Sequence, residues 1–154
     1  MITRRTLLTA TAGGLAAPAI LRAQTVQKLT FYYPIAVGGP LQSVIDGYCK
    51  GFQQETGITV EPVYSGDYSQ TLIKALAAIK AGAGPQFSVL WASEIHSLVE
   101  QDILVSLDEI GLDADTKQWL AGFYPAFMAN SHADGKTWSV PFQRSVAVFY
   151  YNKD

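Results

Sequence analysis

The feature that most restricts this chain is an alternation of two periodicities punctuated by glycine. Short runs of β-forming residues give way to stretches with apolar residues every three to four positions, and then return. Parallel strands need a crossover of a dozen or more residues between them, and a helix supplies it, so this alternation predicts an α/β domain with a largely parallel sheet. Lys28 to Tyr33 (Lys-Leu-Thr-Phe-Tyr-Tyr) reads as the first strand. Gly38-Gly39-Pro40 then opens a helix in which Leu41, Val44, Ile45, Tyr48 and Phe52 form one apolar face. Pro40 suits the first helical position, where its missing N–H costs nothing, and Gly57 closes the helix.

The second strand, Ile58 to Tyr64, contains Pro62, which cannot donate to a ladder and so belongs near a sheet edge. Asp67-Tyr68-Ser69-Gln70 has the form of a capping box ahead of Leu72, Leu76 and Ile79, predicting a helix that ends at Gly82. Phe87 to Trp91 is a continuous apolar run, the pattern of a central strand buried on both faces. A short helix near Glu94 to Gln101 and a strand at Ile103 to Leu107 follow, then weaker helical signals from Asp113 to Ala129. Ala133-Asp134-Gly135-Lys136 reads as a hairpin turn with Trp138 to Pro141 returning, and Val146 to Tyr151 as a last apolar strand. No covering element follows that strand, which predicts a truncated chain.

Residues 1 to 23 are read apart from the domain. Thr3-Arg4-Arg5-Thr6-Leu7-Leu8 leads into a weakly apolar stretch holding Gly13, Gly14 and Pro18, the pattern of a twin-arginine export signal cleaved near Ala23. A spanning helix needs about 20 strongly apolar residues, which this stretch lacks, and an uncleaved N-terminal anchor stands as the alternative. Without the leader the chain carries 8 basic against 13 acidic side chains. A net charge of that sign gives no electrostatic reason to bind nucleic acid or anionic lipid. Cys49, the only cysteine, has no partner for an internal disulfide.

Four stretches resemble the extracellular solute-binding proteins of ABC importers for sugars and glycerol phosphates. They are Leu29 to Tyr33 with Gly38-Gly39, Tyr64 to Tyr68 (Tyr-Ser-Gly-Asp-Tyr), Lys80 to Pro85 (Lys-Ala-Gly-Ala-Gly-Pro), and Ser139 to Phe142 running on to Tyr150-Tyr151-Asn152-Lys153. The resemblance implies a type II periplasmic-binding-protein-like fold, present here as the N-terminal lobe only, over residues 24 to 154, with the second lobe missing. It implies a periplasmic, monomeric binding protein that captures a sugar, polyol or glycerol phosphate and delivers it to ABC permease membrane subunits, without a cofactor or a metal and without catalysis.

Ligands of open α/β sheets sit beyond the carboxyl ends of the strands, which selects four loops. Gly38 and Gly39 let a solute approach the backbone, if they do more than make the turn. Tyr68 offers a stacking face and a hydroxyl, and glycerol-phosphate-binding relatives are expected to use a tyrosine at this place. Trp91, Ser93 and Glu94 follow the third strand, where the resemblance leads to a glutamate and this chain has Ala92 instead; Glu94 stands in for it or caps the next helix. Arg144 would offer a forked donor to a phosphate or carboxylate and Ser145 a neutral one, with a plain solvated arginine as the alternative.

The chain has no G-x-S-x-G, P-loop, G-x-G-x-x-G or H-E-x-x-H pattern, and His96 and His132 lie in unrelated contexts. Cys49, beside the apolar helix face, reads as a small buried hydrophobe. Two other readings stay open: a secreted α/β hydrolase or phosphatase, and a solute receptor that reports to a sensor kinase.

Overall fold

The computed structural model describes residues 28–34, 40–145 and 147–154. The leader of residues 1 to 23, the Gly38-Gly39 loop and Val146 lie outside these residues. The expected alternation is present: β1 (Lys28–Tyr33), α1 (Pro40–Thr56), β2 (Thr59–Tyr64), α2 (Tyr68–Lys80) and β3 (Phe87–Ser88) follow in order. The three strands form one parallel sheet in the order β2-β1-β3, with Tyr33 opposite Tyr64 and Tyr32 opposite Ser88. β1 is therefore central, and its side chains make the core: Phe31 is 7% and Tyr33 3% exposed. Phe31 stacks on Phe87 at 4.6 Å and on Tyr33 at 5.5 Å, and Ile45, Cys49, Val60 and Val89 pack around the pair.

Pro62 sits in β2, an outer strand, as its missing N–H requires. Gly57 and Gly82 close their helices at φ +74 and +73, a left-handed conformation that glycine adopts without penalty.

The long apolar face expected of α1 is only partly used. Ile45 and Cys49, four residues apart, cover β1, whereas Leu41, Val44, Tyr48 and Phe52 are exposed. The expected central strand Phe87 to Trp91 is also corrected. Only Phe87 and Ser88 form ladder, at the outer edge of the sheet, with the Val89 N–H still bonded to the Tyr32 carbonyl at 2.9 Å. An apolar run reports burial but not strand order, and here the central place belongs to β1.

The second half is built of shorter pieces. A 3₁₀ turn at Ala92–Glu94 leads into α3 (Ile95–Glu100), then α4 (Ala114–Ala121), α5 (Pro125–Met128), a 3₁₀ turn at Ala129–Ser131, β4 (His132–Ala133) and β5 (Lys136–Thr137). The Asp113 carboxylate caps α4 by accepting from the Thr116 N–H at 2.7 Å. The hairpin turn is where it was expected, with Asp134 at φ 51 and Gly135 at φ 75, the paired left-handed residues of a two-residue turn. Trp138 does not extend β5, but its N–H and indole N–H bond the Ser131 and Ala133 carbonyls, each at 2.9 Å.

Two further strands expected from sequence are not formed. Ile103 to Leu107 is irregular, because buried Ser106 turns the chain by accepting from the Glu109 N–H, leaving one strand-like bond from Leu107 to Thr137 at 2.8 Å. Among the described residues, 147 to 151 have no ladder partner, and Phe149 is 89% exposed.

Candidate functional site

The parallel register brings the carboxyl ends of β1, β2 and β3 to one edge of the sheet, where β2 and β3 flank β1. The loop after β2 is the best defined. The Ser65 N–H continues the pairing to the Tyr33 carbonyl at 3.0 Å, and Ser65 is fully buried. Gly66 then turns at φ +99, and a Cβ there would lie 1.9 Å from Gln70 Oε1, so only glycine fits. The Asp67 carboxylate accepts from the Gln70 N–H at 2.8 Å while Gln70 Oε1 accepts from the Asp67 N–H at 3.1 Å. This reciprocal capping box fixes Tyr68 as the first residue of α2 and sends its side chain to the carboxyl edge of the sheet.

There Tyr68 meets Trp91, which follows β3. Their ring centroids are 4.1 Å apart with the planes tilted by 31°. Trp91 remains 53% exposed, so the pair presents an open aromatic surface. The Gln143 side-chain amide donates to the Tyr68 hydroxyl, and neighbouring Phe142 meets Phe31 edge-on at 6.3 Å. Lys74, two turns along α2, places its ammonium on the Ser65 carbonyl at 2.8 Å, so a cation stands beside this loop. The arrangement can therefore stack a ring or a stripe of C–H groups and meet it with a hydroxyl.

Of the residues singled out from sequence, Tyr68 and Trp91 are brought together. Ser93 and Glu94 lie in the 3₁₀ turn that begins one residue after Trp91, Ser93 exposed and Glu94 half-buried. Glu94 occupies the N-cap position of α3, yet its side chain makes no cap bond, so the capping role is not realised. The Arg144 guanidinium donates to the Phe127 carbonyl and lies 6.0 Å over the Phe127 ring, facing α5. Ser145 is exposed beside it. Gln143 and Lys74 escaped the sequence reading, the first because its partner is 75 residues away, the second because an exposed helical lysine has no local signature.

Among the described residues no cluster of three His, Cys, Asp or Glu side chains is arranged to hold a metal. His132 faces the Thr137 hydroxyl at 3.3 Å, inside its hairpin. The Cys49 thiol is pushed above its ordinary pKa by burial first and by Asp46 second, which suits a packing role. A separate open cavity of about 270 Å³ lies between α4 and β5, lined by Leu107, Asp108, Lys117 and Leu120 among others, and shares no residue with the aromatic pair.

A parallel sheet in the order β2-β1-β3 with helices in its crossovers is an architecture of the periplasmic-binding-protein type. The chain belongs to the bacterial extracellular solute-binding protein family, whose sequence profile matches residues 47–154. It is similar to the sn-glycerol-3-phosphate-binding periplasmic protein UgpB of Shigella dysenteriae serotype 1, with 29% identity over 140 residues that cover 86% of this chain and 30% of that protein. The UgpB protein of Salmonella typhi is 28% identical over 152 residues, covering 94% of this chain and 34% of the relative. The chain thus spans about a third of the length of the curated relatives it matches.

Solved structures agree on the fold. An extracellular solute-binding protein family 1 member from Alicyclobacillus acidocaldarius superimposes with a TM-score of 0.59 at 17% identity, over 73% of this chain and 27% of that one. A cyclo/maltodextrin-binding protein complexed with maltotetraose gives 0.59 at 21% identity, over 72% and 27%. The maltose/maltodextrin-binding domain MalE from Bdellovibrio bacteriovorus, bound to maltotriose, gives 0.57 at 22% identity, over 71% and 27%. The type II periplasmic-binding-protein-like fold expected from sequence is the fold of the chain.

Proposed function

We propose that this protein captures a small polyhydroxylated solute, a sugar, polyol or glycerol phosphate, outside the cytoplasmic membrane and hands it unchanged to the membrane subunits of an ABC importer. The observation that carries the reading is the Tyr68–Trp91 pair, an exposed aromatic surface at the carboxyl edge of a parallel sheet with a hydroxyl on its rim. Sugars present C–H stripes that pack on such rings and hydroxyls that bond such rims. The ligands of these relatives, glycerol 3-phosphate and malto-oligosaccharides, are polyhydroxylated in the same way.

Export by the twin-arginine leader of residues 1 to 23, with cleavage near Ala23, belongs to the same reading, as does action as a monomer. Ser93 and Glu94, two and three residues after Trp91, and Ser145, two residues after Gln143, would add hydroxyl and carboxylate contacts, and Gly38-Gly39 would bring backbone N–H groups. Arg144, which bonds the Phe127 carbonyl through one nitrogen, keeps further N–H donors for an anionic solute.

The test is a thermal-shift and calorimetric screen of the intact protein, as its gene encodes it, against sugars, polyols and glycerol phosphates. A solute at a hundred times its dissociation constant stabilises the folded state by about 2.7 kcal/mol, well within reach of such a screen. Binding abolished by Tyr68→Ala supports the reading. Chemical turnover of a bound solute by the pure protein overturns it in favour of a hydrolase.

A further inference from the structure

Three successive residues near the end of the chain attach to three different elements. Phe142 meets Phe31 of β1, the Gln143 amide donates to the Tyr68 hydroxyl of α2, and Arg144 donates to the Phe127 carbonyl of α5. Gln143 is itself exposed. A surface glutamine ordinarily gives up side-chain entropy to hold one partner, but here each neighbour is held by a side-chain contact of its own, which lowers that cost.

The direction of the bond has a chemical consequence. A tyrosine hydroxyl carries one proton and two lone pairs. With the ring laid on Trp91 and one lone pair taken by the Gln143 N–H, the phenol's own proton is left to donate elsewhere. Accepting one hydrogen bond also polarises the O–H and makes it a stronger donor in the next.

We propose that Gln143 is a positioning residue for solute capture: by donating to Tyr68 it commits the Tyr68 proton to an acceptor oxygen of a solute lying against the Tyr68–Trp91 pair. The proposal rests on the receptor reading above. It makes the site selective for solutes whose ring, hydroxyl or phosphoester oxygen stands beside their apolar stripe, and it assigns Gln143 no contact with the solute.

The experiment uses the intact protein and a solute from the screen, with Gln143→Met, which keeps the length of the side chain but cannot donate, Tyr68→Phe, which keeps the ring but not the hydroxyl, and the double variant. Gln143→Met is expected to weaken binding about three- to tenfold, the size of one hydrogen bond. In the Tyr68→Phe background the same substitution is expected to change the dissociation constant by less than about twofold, because its route to the solute is gone. Gln143→Glu, which accepts only, is expected to turn the phenol proton inward and weaken a neutral sugar at least as much. Equal losses in both backgrounds overturn the proposal, since Gln143 then touches the solute itself or acts through the fold, and so does an unchanged affinity in Gln143→Met. Urea unfolding of the same four proteins reads the Gln143–Tyr68 bond without any solute, and additive shifts of the midpoint also overturn it. A wild-type protein that binds nothing in the screen overturns the receptor reading, and this proposal with it; binding by wild type with no effect of Gln143→Met overturns this proposal alone.

Discussion

Tyr68 and Trp91 stack so closely, at 4.1 Å between ring centroids, that no third ring fits between them. Two carbon surfaces in contact sit about 3.5 to 4.0 Å apart, so a sandwich would need nearly twice the observed separation. A solute held at this pair would therefore lie on its outer face or across its edge. Solute addition is expected to shift the emission of Trp91, and Trp91→Phe should remove that shift while retaining most of the affinity. Tyr68→Ala is expected to cost at least tenfold in affinity, since it deletes both stacking face and hydroxyl. Titration calorimetry with tryptophan fluorescence on the same samples checks both outcomes, and an unchanged dissociation constant in Tyr68→Ala counts against this site.

The loop that presents Tyr68 is more sensitive than its exposure suggests. Asp67→Ala removes the acceptor for the Gln70 N–H and is expected to lower stability by about 1 kcal/mol. Gly66→Ala is expected to cost more, because φ is +99 and the new Cβ would collide with the Gln70 side chain. Both variants should weaken solute binding as well, by letting Tyr68 drift. Urea midpoints and dissociation constants measured side by side check this, and a Gly66→Ala protein of full stability contradicts it.

Cys49 is expected to react slowly. Burial against Phe31 and Tyr33, with Asp46 adding to it, raises the thiol pKa, so little thiolate forms at pH 8. Iodoacetamide labelling should be slower than for a free thiol and should speed up on unfolding. A raised pKa means that the folded state holds its proton more tightly. The resulting stabilisation is present below the ordinary thiol pKa and is lost as pH rises through the raised value. Cys49→Ala should flatten that alkaline loss, which unfolding curves between pH 7 and pH 10 will show.

The hairpin depends on its turn chemistry. Asp134 and Gly135 both have positive φ, a conformation aspartate and asparagine tolerate and β-branched residues do not. Asp134→Asn is expected to be neutral within about 0.5 kcal/mol, whereas Gly135→Val should cost about 1 to 2 kcal/mol and loosen Trp138, whose indole N–H bonds the Ala133 carbonyl. Urea unfolding followed by tryptophan fluorescence separates the two.

How much of this was legible in advance depended on the range of the interaction. The bounds of β1, the capping box at Asp67 and Gln70, the left-handed glycines and the Asp134-Gly135 turn were readable because each is decided within about four residues, by backbone hydrogen bonds and φ limits. Apolar runs, by contrast, carried no local signal of their partners. Phe87 to Trp91 became an edge pair followed by an exposed tryptophan, Ile103 to Leu107 an irregular loop, and residues 147 to 151 an exposed segment. Apolar character says that a residue gains by burial; it does not say against what.

The site divides along the same line. Sequence alone determined that Tyr68 stands at a helix start, because the capping box is local, whereas it ran the third strand through Trp91, which the structure places after it. Only the tertiary structure decided that their rings meet, that Gln143 reaches the Tyr68 hydroxyl from 75 residues away, and that Arg144 faces Phe127. Those contacts follow from the order of strands in the sheet, and that order is set by how the whole core packs, a sum over distant residues that no local pattern carries.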